Sequence, residues 1–561
     1  MARISPRACL LVCAWLGPCL LWSAPVSPST SLNADQLGSR FLAQATFGAS
    51  PDSLAELRTL GFNYGAWIDR ESAKPVTSAV AVLEAARAAG QITTSDTGTN
   101  RRARNQVMLT APDQLRQRMA YALSQIMVIS DADTNVANGQ DGSSSYYDML
   151  ARNALGNFRT LMMDVTRHPM MGRYLSHYKN RKANATTGTR PDENYAREVM
   201  QLFTIGLYHL ASSGNYVTDS AGRPLEAYTN DDITEFARVF TGFTDESANS
   251  TGTGTGRADF PSAAANYTAP MRMWEGQHDT GAKRLLSYAG ARKPDLPANQ
   301  TGLQDVQDAI DNLVEHPACA PFISRLLIQR LVTSNPSDGY VSRVSAVFVN
   351  NGGGVRGDLL AVARAILLDP EARNLSFVTD PEHGRLRDPF LRITQLVRAF
   401  RFTLASTGTL PYDFGGAVTQ TTIGHYPMSA PSVFNFFSPE FEPPGPIANA
   451  GLVGPEFQVL NSVFAITLPN TINTLITSGA GQFRLNLAEQ ESLAATPGAL
   501  LDNLNTLLTH GTMSPETRAA VLKAVEGITA AMVPANSNLN QQRARLAVYL
   551  VAVSPEGAVL K

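Results

Sequence analysis

Apolar residues recur along most of this chain at the spacing of a helix. Leu54, Leu57 and Leu60 share one face ahead of Gly61, a residue suited to a helix C-terminus. Leu115, Met119, Leu123 and Ile126 form a second stripe, and Pro112 is expected to sit in the first turn of that helix. Ile233, Phe236, Ala237 and Phe240 follow the helical template, with Thr229 as N-cap and Asp232 completing a capping box. The same spacing returns at Phe322, Ile323, Leu326 and Leu327, at Leu359, Val362 and Ile366, and from Leu391 to Val397 after Pro389. Ser514-Pro515-Glu516 opens another helix, through Val521 and Val525. Strand-like alternation is scarce. Only Tyr216 to Tyr228, with a turn at Ser220-Ala221-Gly222, suggests a small hairpin. The pattern therefore predicts a mainly α protein: a large assembly of packed helical bundles, with long ordered loops and at most a small β-hairpin.

The polar stretches fit between these elements. Asn249 to Gly256 alternates Thr and Gly and reads as a flexible excursion. Thr407 to Gly424 and Ser438 to Gly454 are too long for simple connectors, and ordered loops of that length often border functional sites. The helical region from 35 to 561 reads as one large domain.

The first residues change the picture. Arg3 and Arg7 precede an apolar run from Ala8 to Leu21, then the small residues Ser23 and Ala24. That order predicts a secretory signal peptide over 1–24, and hence a protein exported to the periplasm or beyond. Three of the four cysteines lie in this leader, so Cys319 is alone in the mature chain. It can form no intramolecular disulfide and no thiolate zinc site, and its apolar surroundings predict a buried, inert thiol. With 561 residues and 44% hydrophobic content there is chain enough for a large core. A net charge of −2 does not suggest nucleic-acid binding. No later apolar run has the length of a membrane span.

Candidate chemistry begins at Glu193 to Phe203. At about 100° per residue, Asn194, Arg197, Glu198 and Gln201 fall on one narrow stripe of a helix otherwise largely apolar. Such a stripe needs polar partners, water or a ligand. It is either a cleft wall, with Glu198 as acid or base and Arg197 orienting an anion, or an internal network that fixes helix packing. His168, Arg173, His177, Lys179, Asn180, Arg181 and Lys182 form a basic run that could hold an anion or could be a solvated turn. In Trp274 to Lys283, His278 beside Asp279 could serve as a base or metal pair, with a third ligand from Glu198, His168 or His425. The alternative is an ordered loop with a capping Asp. Asp131, Asp133, Asn135 and Asp141 resemble part of a calcium loop. However, Val136 and Gly142 stand where that loop needs Gly and Glu. No Walker loop, dinucleotide fingerprint, nucleophile elbow or His-Glu-x-x-His pair is present. Ser432 to Pro439 is an aromatic cluster, suited to packing or to stacking a ring.

Several of these segments together resemble the bacterial family known as domain of unknown function 1800. They are Arg40 to Gly48, Leu115 to Arg118, Glu193 to Gly206, Phe240 to Gly242, His278 to Lys283, Val355 to Leu359 and Pro431 to Phe437. The resemblance implies export and a helical fold, and it implies no catalytic residues. Many relatives carry Glu where Gln201 stands and often Trp where Phe243 stands, so a two-carboxylate site would be weakened here. Neighbouring genes often encode a secreted protein of the alkaline phosphatase and sulfatase superfamily, domain of unknown function 1501, which makes such a protein the expected partner.

The expected function is binding of a polar or anionic ligand, a glycan among the candidates, in a helix-lined cleft near Glu198. The alternatives are a hydrolase using Glu198 with a histidine, metal-assisted or not, and a non-catalytic partner of the sulfatase-like protein. Glu198 and His278 are the catalytic candidates. Asn194, Arg197, Gln201, Asn180, Arg181, Asp279 and Lys283 are the ligand-binding candidates. Metal and cofactor are left open.

Overall fold

The computed structural model describes residues 31–246, 260–261, 265–405, 410–533 and 538–561. The expected leader and the 249–256 excursion lie outside the described residues. Helices dominate, and strands occur only as short antiparallel pairs. The stripes read from the sequence become Pro51–Thr59, Gln114–Ser124, Asn230–Val239, Cys319–Leu331, Leu359–Leu368, Pro389–Ala399 and Pro515–Glu526. Local chemistry sets their ends. Thr229 and Asp232 make the expected capping box, Ser514 caps the helix that Pro515 opens, and Gly61 takes the left-handed conformation just beyond Pro51–Thr59. One boundary differs from expectation. The helix that Pro112 was to open begins at Gln114 with Asp113 as N-cap, so Pro112 lies before the cap and not in the first turn.

The buried faces of these helices merge into one apolar cluster running from Phe41 to Ala552. The strand pairs are two residues long, and two of them join distant parts of the chain. Arg385–Leu386 pairs with Val559–Leu560, and Thr403–Leu404 with Phe483–Arg484. The hairpin expected at 216–228 appears as a meander of single bridges: Tyr208 to Glu226, Leu210 to Tyr216 and Thr218 to Pro224.

The interior is unusually rich in arginine. Arg40, Arg104, Arg118, Arg330, Arg385 and Arg387 are all buried. Most of them spend their N–H groups on main-chain carbonyls. Arg40, for example, donates to Ala372 and Lys561, and Arg118 to the carbonyl of Arg330. A buried guanidinium is tolerated only when such acceptors are supplied.

Candidate functional site

The polar stripe lies on the helix Asn194–Gln201 and divides in two. Its outer half is at the surface. Asn194 is exposed and donates to Ser176 Oγ at 3.0 Å, and Arg197 is half-exposed, 3.5 Å from Glu193. Its inner half is not. Glu198 is 8% exposed, and its Oε2 has no hydrogen-bond partner among the described residues. Burial lifts its carboxyl to about 7, against the weaker opposing pull of Arg197. Two phenols share this environment. Burial first, and then carboxylates including Glu198, push Tyr174 and Tyr228 up to about 12. Gln201, one turn on, reaches the wall of a cleft, but Glu198, expected in that wall, does not line it.

His278, Asp279 and Lys283 belong to a separate, closed network. The His278 ring is buried, with Nε2 3.0 Å from Asp305 Oδ2 and Nδ1 3.0 Å from the Thr241 carbonyl. Lys283 Nζ donates to the same Asp305 oxygen at 2.6 Å and to the carbonyls of Asp279 and Gly281. Asp279 takes both arms of Arg238 and accepts from the Gly281 N–H. None of these partners is Glu198. Asn180 is buried and exchanges two bonds with the Asp192 main chain, while Arg181 is exposed and lies over the Phe260 ring. Of the basic run, His168 and His177 are buried and lowered to about 3 and about 4 by desolvation, and Arg173 pairs with Asp245 at 2.9 Å. Among the described residues, no group of three or more His, Cys, Asp or Glu side chains gathers as a metal site. Asp131 is engaged by Arg101 and Arg104.

The cleft that Gln201 touches measures about 580 Å³, within the usual size of a small-molecule site. One wall is the chain leaving the Glu198 helix, where Gly206 adopts φ 75°. A Cβ at Gly206 would stand 2.9 Å from the Phe322 ring opposite, so the close approach of the two walls requires glycine. A second wall is the helix Cys319–Leu331, through Phe322, Leu326 and Arg330. The third is the aromatic segment found in the sequence. Phe437 turns inward, Phe434 stands 56% exposed at the rim, and Asn435 holds φ 64° between them.

Beneath this cleft lies a cluster that the sequence reading did not assemble. Arg118 comes from Gln114–Ser124, Arg330 from the last turn of Cys319–Leu331, and Arg385 from its short strand. Asp388 caps Pro389–Ala399 through Oδ1, and Glu456 lies on the turn Pro455–Gln458. Arg385 reaches Glu456 at 2.8 Å and stands 3.8 Å from Asp388. His425 Nδ1 is 3.8 Å from Asp388, beyond hydrogen-bond range, and the ring packs 4.6 Å from Phe436. Burial lowers Arg118 and Arg330 to about 10 and pulls His425 down. Burial opposes ionisation of Asp388, but His425, Arg385 and Arg118 hold its carboxyl below the ordinary value. Many polar atoms here lack partners: Tyr121 Oη, Asp388 Oδ2, His425 Nδ1, Glu456 Oε2, and Nε with Nη1 of both Arg118 and Arg330. A signal for the two arginines existed. Arg118 follows Leu115 by three positions and Arg330 follows Leu326 by four, so each stands on the apolar face of its helix.

Comparison with the curated proteins and with the solved structures gives no match. A family model does match, and it spans the helices, the cleft and the cluster alike. It covers residues 40–558 and is described as protein of unknown function (DUF1800), and the chain belongs to that family.

Proposed function

We propose that this is an exported protein that binds a polar or anionic ligand in the cleft between Gln201, Phe322 and Phe434. The observation that carries the reading is the cleft itself: about 580 Å³, walled by helices and by the aromatic segment, with buried unpartnered amide and guanidinium groups at its floor. Aromatic and apolar walls supply contact area, and a few polar groups fix orientation. Export is supported by the order of charge, apolar run and small residues in the leader. The test is native mass spectrometry of protein taken from the periplasmic fraction, beside titration with a panel of acidic and neutral oligosaccharides and of alkyl carboxylates and sulfates. A retained or titrated small molecule is expected, and Leu207→Trp, at the exposed rim, should block it without altering the fold. Protein that carries nothing and binds no member of the panel would sink the reading.

A second reading, a hydrolase, is favoured by Glu198. A carboxyl held near 7 with an unpartnered oxygen is suited to moving a proton at neutral pH. It requires a substrate to reach Glu198 past Gln201, since Glu198 does not line the cleft, and it predicts that Glu198→Gln abolishes turnover of that substrate. A variant with undiminished turnover would remove Glu198 from any chemistry.

A further inference from the structure

The cluster beneath the cleft carries more cation than anion. Three guanidinium groups, Arg118, Arg330 and Arg385, face two carboxylates, Asp388 and Glu456. Arg385 takes both of those carboxylates. Arg118 donates to the Arg330 carbonyl at 2.5 Å. Arg330 itself, 2% exposed and lining the cleft, forms no ion pair among the described residues, and its guanidinium lies 4.6 Å over the Phe437 ring. Its Nε and Nη1 make no hydrogen bond. Nearby, Gln125 Oε1, Gln329 Oε1 and Asn435 Nδ2 are also buried and unpartnered. Gln125 and Asn435 line, besides the cleft, a void of about 10 Å³ next to His425. The remaining walls are mixed. Gln201, Tyr216, Arg325 and Glu440 line the space, while Leu202, Ile205, Phe322, Leu326 and Phe436 supply an apolar surface against which sugar hydroxyls would find no partners.

We propose that the ligand of this cleft is an amphiphilic anion: a carboxylate or sulfate on a hydrocarbon chain, with its head group at Arg330 and its chain along Ile205, Phe322 and Leu326. This rests on the reading of the cleft as a ligand site and narrows it to one chemical class. An oxyanion supplies the counter-charge and the acceptor that the Arg330 guanidinium lacks. It also cancels the excess positive charge. The unpartnered amide of Asn435 adds a donor in the same wall, and the exposed Phe434 ring adds apolar cover at the rim.

The test is isothermal titration of the full protein with sodium decanoate and decyl sulfate below their self-association concentrations, beside 1-decanol and trigalacturonate. Both alkyl anions should bind with one-to-one stoichiometry. 1-Decanol should bind at least tenfold more weakly, and trigalacturonate should give no heat. Arg330→Met should weaken decanoate at least tenfold, with Arg330→Lys recovering part of the loss. Asn435→Asp leaves the buried guanidinium in place and suits the left-handed backbone there, yet sets a carboxylate against the head group. It should weaken decanoate by a similar factor even if the Arg330 variants do not fold. Decanoate binding unchanged in Arg330→Met or in Asn435→Asp overturns the proposal. So does binding of trigalacturonate or a neutral sugar in place of the alkyl anions, an outcome that leaves the cleft a ligand site. Silence from every probe overturns the proposal and removes support from the ligand reading too.

Discussion

Glu198 lies where a proton decides the charge of the interior. Its carboxyl is lifted from the ordinary 4.5 to about 7, chiefly by burial. The folded protein therefore holds this proton over a pH range in which the unfolded chain has released it. The sign follows. The folded state gains from the bound proton below about 4.5, and this contribution is lost as pH rises through 7. With allowance for solvent screening at the open side of the carboxylate, the loss is about 1–3 kcal/mol. Glu198→Gln should thus match wild type in urea unfolding at pH 4 and exceed it by that amount at pH 8. A variant several kcal/mol less stable at both pH values would mean that Glu198 is held by a cation after all. Cys319 makes the opposite case, a group removed from chemistry. It is fully buried and free, and burial pushes its thiol up to about 12. The native protein should resist a thiol reagent at pH 8 for as long as it stays folded, and label at once in denaturant. Rapid labelling of native protein would contradict its burial.

At the scale of elements, the loop Trp274 to Lys283 acts as a clasp on the helix Gly302–Glu315. Asp305, in the first turn of that helix, is the carboxylate that holds both His278 and Lys283 among the described residues. Asp305→Ala leaves Lys283 buried with only carbonyls, so about 3–5 kcal/mol of stability should be lost. Equilibrium unfolding in urea reads this directly, and a loss below 1 kcal/mol would show that the carbonyls of Asp279 and Gly281 suffice. Helices of this kind were legible because their signals are local. The Thr229 and Asp232 box, Pro389 and Pro515 at helix starts, and the stripe at Ile323, Leu326 and Leu327 all act within a few residues. The inner half of the Glu198 stripe was legible by the same rule. Its outer half was not, because periodicity names a face and cannot say which end of it the rest of the chain covers. The cleft was the least legible feature. Its lining comes from residues near 125, 201–216, 322–330 and 431–440, which no local pattern joins. An arginine on an apolar face, as at Arg118 and Arg330, is the trace it left.

Taken whole, the chain buries its apolar faces in one continuous cluster, and helices far apart in sequence close it. Ala34–Ala45 packs on Pro497–Leu507, and Phe464–Thr477 on Leu539–Val553. Unfolding should therefore be a single transition, with near-ultraviolet and far-ultraviolet circular dichroism giving the same midpoint in urea. That is unusual for a chain of this length. Two separated midpoints would show that the bundles hold together independently.

The pairing of Arg385–Leu386 with Val559–Leu560 also sets an order in time. Arg387 donates to the Gly557 carbonyl, and Arg40 to that of Lys561, 521 positions away. During synthesis these arginines emerge long before the residues that accept from them. Until then the half-made chain has guanidinium groups that it cannot afford to enclose, so collapse must stay loose and wet. Native packing around these arginines therefore waits on late-made residues, so refolding is expected to be slow, because early closure has nothing to close on.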